Sequence, residues 1–276
     1  ADLHSQDQME RFNQDLAPTA QYQASYFTNF KTYFMQTFGK FAGWSLAGGG
    51  LSAFILMPTF YALSTSKGQQ SSPELELTTD YPLYDIVSKF ILGSFNFDQM
   101  PEGLPNIFVG SLALIMASLY FFNKMIPWQE RLAAGGLTTA LLLSMNISGL
   151  NLIWHGFQYP IWYPYRFSFV FSFFLLFIGY QLYRQKTALS IKSAIALLIP
   201  FAIAYGYLFY KIEEFDYISV TTVLVSFVLF VGVTALLMMA VDFDRLIYIL
   251  LLFITMSEVF ANSVITISSI SYLKED

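Results

Sequence analysis

The 276-residue chain is 12% charged and 55% hydrophobic, against about 25% charged in ordinary soluble domains, so its composition excludes a water-soluble fold and points to a bilayer. It has no cysteine, and its two histidines, His4 and His155, lie far apart, which removes disulfides, thiolate chemistry and a histidine-rich metal centre. A net charge of -5 without a basic cluster argues against nucleic acid as a partner.

In chain order, the sequence opens at Ala1 without a methionine or a basic leader, and it is expected to be part of a longer protein. The stretch "YQASYFTNFKTYFMQTFGKF" mixes aromatics, polar residues and two lysines. This suits an amphipathic helix in the interface plane, on a cytoplasmic-side segment 1–40. A transmembrane helical domain then fills 41–276. Crossing about 30 Å of hydrocarbon takes about 20 apolar residues. Segments at roughly 41–63, 106–123, 132–149, 165–183, 191–210, 218–240 and 246–266 come near that length. The expected fold is therefore all-α, a polytopic integral membrane protein of about seven transmembrane helices. Ser45 and Gly49, four apart in "SLAGGGLSAF", suit a close helix contact.

Nine of the fourteen Lys and Arg residues fall on one side of this topology, which should be cytoplasmic. The opposite, outward side carries a long loop at about 64–105, the connection "NLIWHGFQYPIWYPYRFSF" and the acidic "KIEEFDY" turn. In that connection Pro164 precedes an apolar run, so Arg166 is expected at a helix amino end. Backbone N–H groups, the helix dipole and the guanidinium would converge there on a phosphate. The competing reading is an interfacial aromatic belt with a snorkelling arginine. His155 is a candidate proton shuttle or ligand to a sugar or phosphate oxygen, and equally a histidine satisfied by a backbone carbonyl. Asn146, Ser148 and Asn151 are placed to line the same cavity.

The long loop supplies Glu74, Glu76, Asp80 and Asp85. Carboxylates there suit a general base or a divalent cation bridging phosphates, although a solvated acidic loop needs neither role. No spacing matches a metal motif. Glu258 is the one acidic residue well inside a span, at a cost of about 2.5 to 3.5 kcal/mol, so it should face the interior. It shares a helical face with Thr255, Asn262 and Thr266, which suggests a polar groove or a hydrogen bond between spans.

Three blocks, "FAGWSLAGGGLSAFILMPTFYALSTSKG", "LPNIFVGSLALIMASLYFF" and "LLLSMNISGLNLIWHGFQYPIWYPYRFSFVFSF", resemble in this order the YfhO-like family of bacterial membrane proteins. The resemblance covers roughly residues 30–190. That family is similar to the GT-C glycosyltransferases, which use a sugar on a polyprenyl-phosphate donor outside the membrane, and is associated with teichoic acid glycosylation in Gram-positive bacteria. The resemblance implies that Arg166 binds donor phosphate while Trp154, Trp162 and Tyr165 stack on sugar or line the lipid entrance. GT-C enzymes place a catalytic Asp or Glu on the first outward loop after their first span. YfhO-like chains have spans before the region seen here, so no motif carries that carboxylate onto Asp80 or Asp85, and it is expected to lie outside this chain; Asp80, Asp85 and His155 stand as catalytic candidates on their chemistry alone.

The expected function is a membrane glycosyltransferase, or part of one, acting at the outer face of the cell membrane. Its partners would be a polyprenyl-phosphate-linked sugar, an envelope polymer acceptor and membrane lipids. The alternatives are a lipid or solute transporter with Glu258 and Asn262 on its pathway, and a non-catalytic scaffold.

Overall fold

The computed structural model describes residues 34–62, 65, 76–158, 160, 162–184, 189–239 and 245–269. The chain divides into two compact units, 1–72 and 73–276. Of the first, the described part is one helix, α1 (Phe34–Ala62), of 29 residues. It passes Lys40 without a break, so among the described residues no separate interfacial helix precedes the span. Residues 1–33, the rest of that expectation, lie outside the described residues, as does Glu74.

The second unit contains α2 (Ser111–Tyr120), α3 (Trp128–Asn146), α4 (Ser148–Trp154), α5 (Ser168–Arg184), α6 (Ile191–Tyr210), α7 (Val220–Met239) and α8 (Arg245–Ser268). With α1, the helices α6, α7 and α8 are long and apolar enough to cross a membrane, so four of the seven expected spans are of full length among the described residues. The expected span at 106–123 is shortened to the ten residues of α2, about 15 Å, or half a bilayer core. The expected span at 132–149 is broken at Ile147, which is extended.

Both interruptions have a local cause. Gly110 has φ +81, a conformation that disfavours any side chain, and α2 starts immediately after it. At Ile147 the freed backbone groups are taken by the segment after residue 75. Asp80 N donates to Asn146 O at 2.8 Å, Ser148 N to Thr78 O at 3.0 Å and Gly149 N to Glu76 O at 2.9 Å. A helix end inside a protein needs such partners. The long loop expected at 64–105 is therefore, from residue 76, an irregular segment bridged to Ile147 at Thr79, followed by 3₁₀ turns.

The half-helix α2 is the hub of this unit, packing chiefly on α5 and also touching α6, α7 and α8. Gly179 of α5 makes the main contact possible: a Cβ there would stand 3.2 Å from Ala113 O and 3.3 Å from Ala117 N. Small residues let helix backbones approach where lipid supplies no hydrophobic drive. Ile115, Ile178, Leu197, Phe230 and Val233 close the core around it, with Phe201 of α6 stacked on Phe230 of α7 at 4.1 Å.

The first turn of α2 has no side-chain cap of its own. Glu258 of α8 supplies it from across the bundle. Its carboxylate is 3% exposed and accepts the Ser111 N–H at 2.9 and 3.0 Å and the Ser111 hydroxyl at 2.6 Å. A negative group also suits the positive end of the helix dipole. Removing it leaves two buried donors unpaired, at about 1–3 kcal/mol each. Glu258→Ala should thus lower the apparent unfolding temperature in detergent by about 5 to 10 °C, and Glu258→Gln, which keeps one acceptor, by clearly less. An alanine variant that melts with the wild type would remove the carboxylate from this account of α2.

Candidate functional site

Of the residues singled out between Asn151 and Phe169, Tyr165 and Arg166 lie in the turn just before α5, although not in the arrangement expected. Helix α5 begins at Ser168, and Arg166 lies in the preceding turn. Its guanidinium folds back, Nη2 donating to Trp162 O at 2.8 Å, and stays exposed. Beside it lies a cavity of about 250 Å³ lined by Gln99, Asn106, Tyr163, Tyr165, Arg166 and Phe169 among others. Its far wall is the segment 95–106. The two walls are tied at Tyr163, a residue with φ +52 whose N–H donates to Met100 O at 2.7 Å and whose ring stacks on Phe95. A second tie runs from the Ser168 hydroxyl to Asn106 O at 2.9 Å.

Tyr165 joins this cavity to a carboxylate. Its hydroxyl donates to Asp80 Oδ2 at 3.0 Å, and Ser148 donates to Asp80 Oδ1. Burial, then the adjacent Asp80 charge, pushes the Tyr165 phenol up, which keeps it a donor. Asp80 itself remains exposed, so its remaining lone pairs are open to a substrate hydroxyl. The Asn146 amide helps hold this segment, donating to Tyr81 O at 2.6 Å.

The other candidates fall elsewhere. Asp85 accepts the Tyr207 hydroxyl at 2.5 Å, so the two loop carboxylates serve different partners. Among the described residues no three acidic or histidine side chains gather to hold a metal ion. His155 pairs through Nδ1 with Asn151 O at 2.9 Å, the bland outcome at that nitrogen, while its buried Nε2 and Asn151 Oδ1 have no partner. Trp154 covers Phe167, ring centroids 4.6 Å apart, and Trp162 is half exposed. On α8, Asn262 Oδ1 accepts the Gly93 N–H at 2.9 Å. Glu258 and Asn262 therefore make hydrogen bonds between segments of the bundle, and their acceptors are taken up by backbone N–H groups.

One residue was not singled out from the sequence. Lys89, on the 3₁₀ helix Leu83–Phe90, is wholly buried. Its ammonium donates to Ser94 O at 2.6 Å and to Gln99 Oε1, and lies 4.3 Å from the centre of the Tyr217 ring. Burial pulls this amine down to about 7. Nothing in the local pattern "DIVSKF" marks it as interior.

The family model described as bacterial membrane protein YfhO matches residues 19–276, which extends the likeness through the later helices. No curated protein and no solved structure matches the chain.

The depressed Lys89 fixes the sign of a pH effect. The unfolded amine binds its proton up to about pH 10.4, the folded one only to about 7, so stability rises with pH between those values, by at most about 1.4 kcal/mol per unit. Between pH 7 and 9.5 the wild type should gain unfolding temperature relative to Lys89→Met, and below pH 7 the difference should be flat. Parallel curves for the two proteins across this range would contradict the burial of a titrating amine.

Proposed function

Because the chain belongs to the YfhO family of bacterial membrane proteins, we propose that it is a membrane glycosyltransferase, or part of one. It would transfer a sugar from a polyprenyl-phosphate donor to a cell-envelope polymer such as teichoic acid at the outer face. The observation that carries this reading is that Tyr165, whose hydroxyl donates to Asp80, lines one small cavity together with Arg166. An inverting transfer requires a base and a cation, and Asp80 and Arg166 are our candidates for them.

In that reaction Asp80 takes the proton of the acceptor hydroxyl, whose oxygen bonds to the anomeric carbon with inversion. The bond from that carbon to the phosphate oxygen breaks, its electron pair leaving on the phosphate, where Arg166 offsets the charge. Tyr165 and Ser148 hold the carboxylate in place. The exposed rings of Trp154 and Trp162 offer apolar faces to the sugar or the lipid chain. The transporter reading needs Glu258 and Asn262 along a path, and both are bonded to backbone instead. Gln99, Asn106, Tyr165 and Arg166 line one cavity, which supports the transferase reading.

The test is transfer of radiolabelled sugar from a polyprenyl-phosphate donor in membranes of a deletion strain that expresses the complete protein. At equal protein levels, Arg166→Ala and Asp80→Asn should each reduce transfer at least tenfold, while Tyr165→Phe, which loses only the orienting hydroxyl, should fall less. Undiminished transfer by both of the first two variants would return this connection to an aromatic belt.

A further inference from the structure

Lys89 has no task in the reaction just described, yet its surroundings are unusual for a charged group. Its ammonium has zero exposure, and its three neighbours, a carbonyl, an amide oxygen and a phenol ring, are all neutral. Three donors are thus satisfied while the charge has no counter-ion. The one salt bridge among the described residues joins Lys211 to Glu214.

The titratable groups on the elements packed around Lys89 do not neutralise it. Asp85, on the same 3₁₀ helix, accepts the Tyr207 hydroxyl of α6. Tyr217, whose phenol burial pushes up to about 12, stays neutral and donates to Ser88 Oγ at 2.6 Å, that hydroxyl having spent its own proton on Asp85 O. Asp98 beside Gln99 and Asp216 beside Tyr217 are exposed, and neither makes an ion pair with it. An unpaired buried charge is costly, and such groups gather at functional sites.

Gln99 is what connects this charge to the site. Its Oε1 accepts from Lys89, its Nε2 donates to Ser94 O and Asn96 Oδ1, and the residue lines the Arg166 cavity. None of the residues lining that cavity is acidic. We propose that Lys89 is the buried positive charge of the Arg166 cavity, a positioning residue that favours a phosphate anion there through Gln99. This rests on the phosphate reading of the cavity given above. The missing counter-ion of Lys89 is then the ligand. Occupation by the anion holds the amine protonated, and because burial brings the empty-site amine close to neutrality, binding takes up a proton.

The complete protein in detergent, titrated calorimetrically with farnesyl phosphate in buffers of different ionisation heat, tests this. Wild-type affinity should fall several-fold as pH rises from 7 to 8.5. The opposite trend would come from the phosphate itself, whose second ionisation near 6 only adds charge. At pH 7.5 the wild type should take up a fraction of a proton. Lys89→Arg, which stays charged, should bind with similar affinity and take up none, and Gln99→Leu should bind at least fivefold more weakly. Wild-type affinity that is flat or rises with pH overturns the role of Lys89, as does a folded Lys89→Met variant that binds as tightly as wild type. If the wild type does not bind farnesyl phosphate at any pH, the phosphate reading of the cavity fails, and this inference with it.

Discussion

The second unit of this protein depends on one carboxylate meeting one helix end. A ten-residue helix that begins inside a bundle exposes N–H groups where no water can reach them, and each unpaired donor costs several kcal/mol in hydrocarbon. Glu258 removes that cost by accepting both the N–H and the hydroxyl of Ser111. It stands about 15 Å from the far end of α8, so α2 starts deep in the bundle, led into by residues 103–110, which form neither helix nor strand. The ionisable residue expected to be an expense within a span is what permits the interrupted helix.

The position of α2 sets the rest. Its close packing on Gly179 sets α5 against it, and the segment leading into α2 passes Ser168, whose hydroxyl donates to Asn106 O. The cavity beside Arg166 is the space left between these two segments. The segment at 76–80 plays a corresponding part. By pairing with the break at Ile147 it brings Asp80 within reach of Ser148 and Tyr165. Asp80, Arg166 and Lys89 thus come from three separate stretches of chain, held by backbone hydrogen bonds.

Much of the architecture was legible in the residues. The runs that become α6, α7 and α8 agree with their expected bounds to within a few residues, because twenty uninterrupted apolar residues have few alternatives to a spanning helix. The polar face of α8 was also readable, since a period of 3.6 places Glu258 and Asn262 together. What they bind was not. Their partners, Ser111 and Gly93, are more than a hundred residues distant in sequence, and helical periodicity identifies a face without its partner. Lys89 was missed for the same reason, since a lysine in a loop is ordinarily solvated and its burial comes from residues near 94, 99 and 217.

The residues alone therefore determined the class of solvent and the helical character, because each of these follows from composition or from contacts along one helix, while three blocks of sequence carried the family likeness. The tertiary structure decided which helices are whole and which are halves, and which carboxylate the Tyr165 hydroxyl meets. Those outcomes depend on satisfying buried backbone groups. A broken helix is affordable only where another segment arrives to pair its ends, and that arrival belongs to the folded chain as a whole.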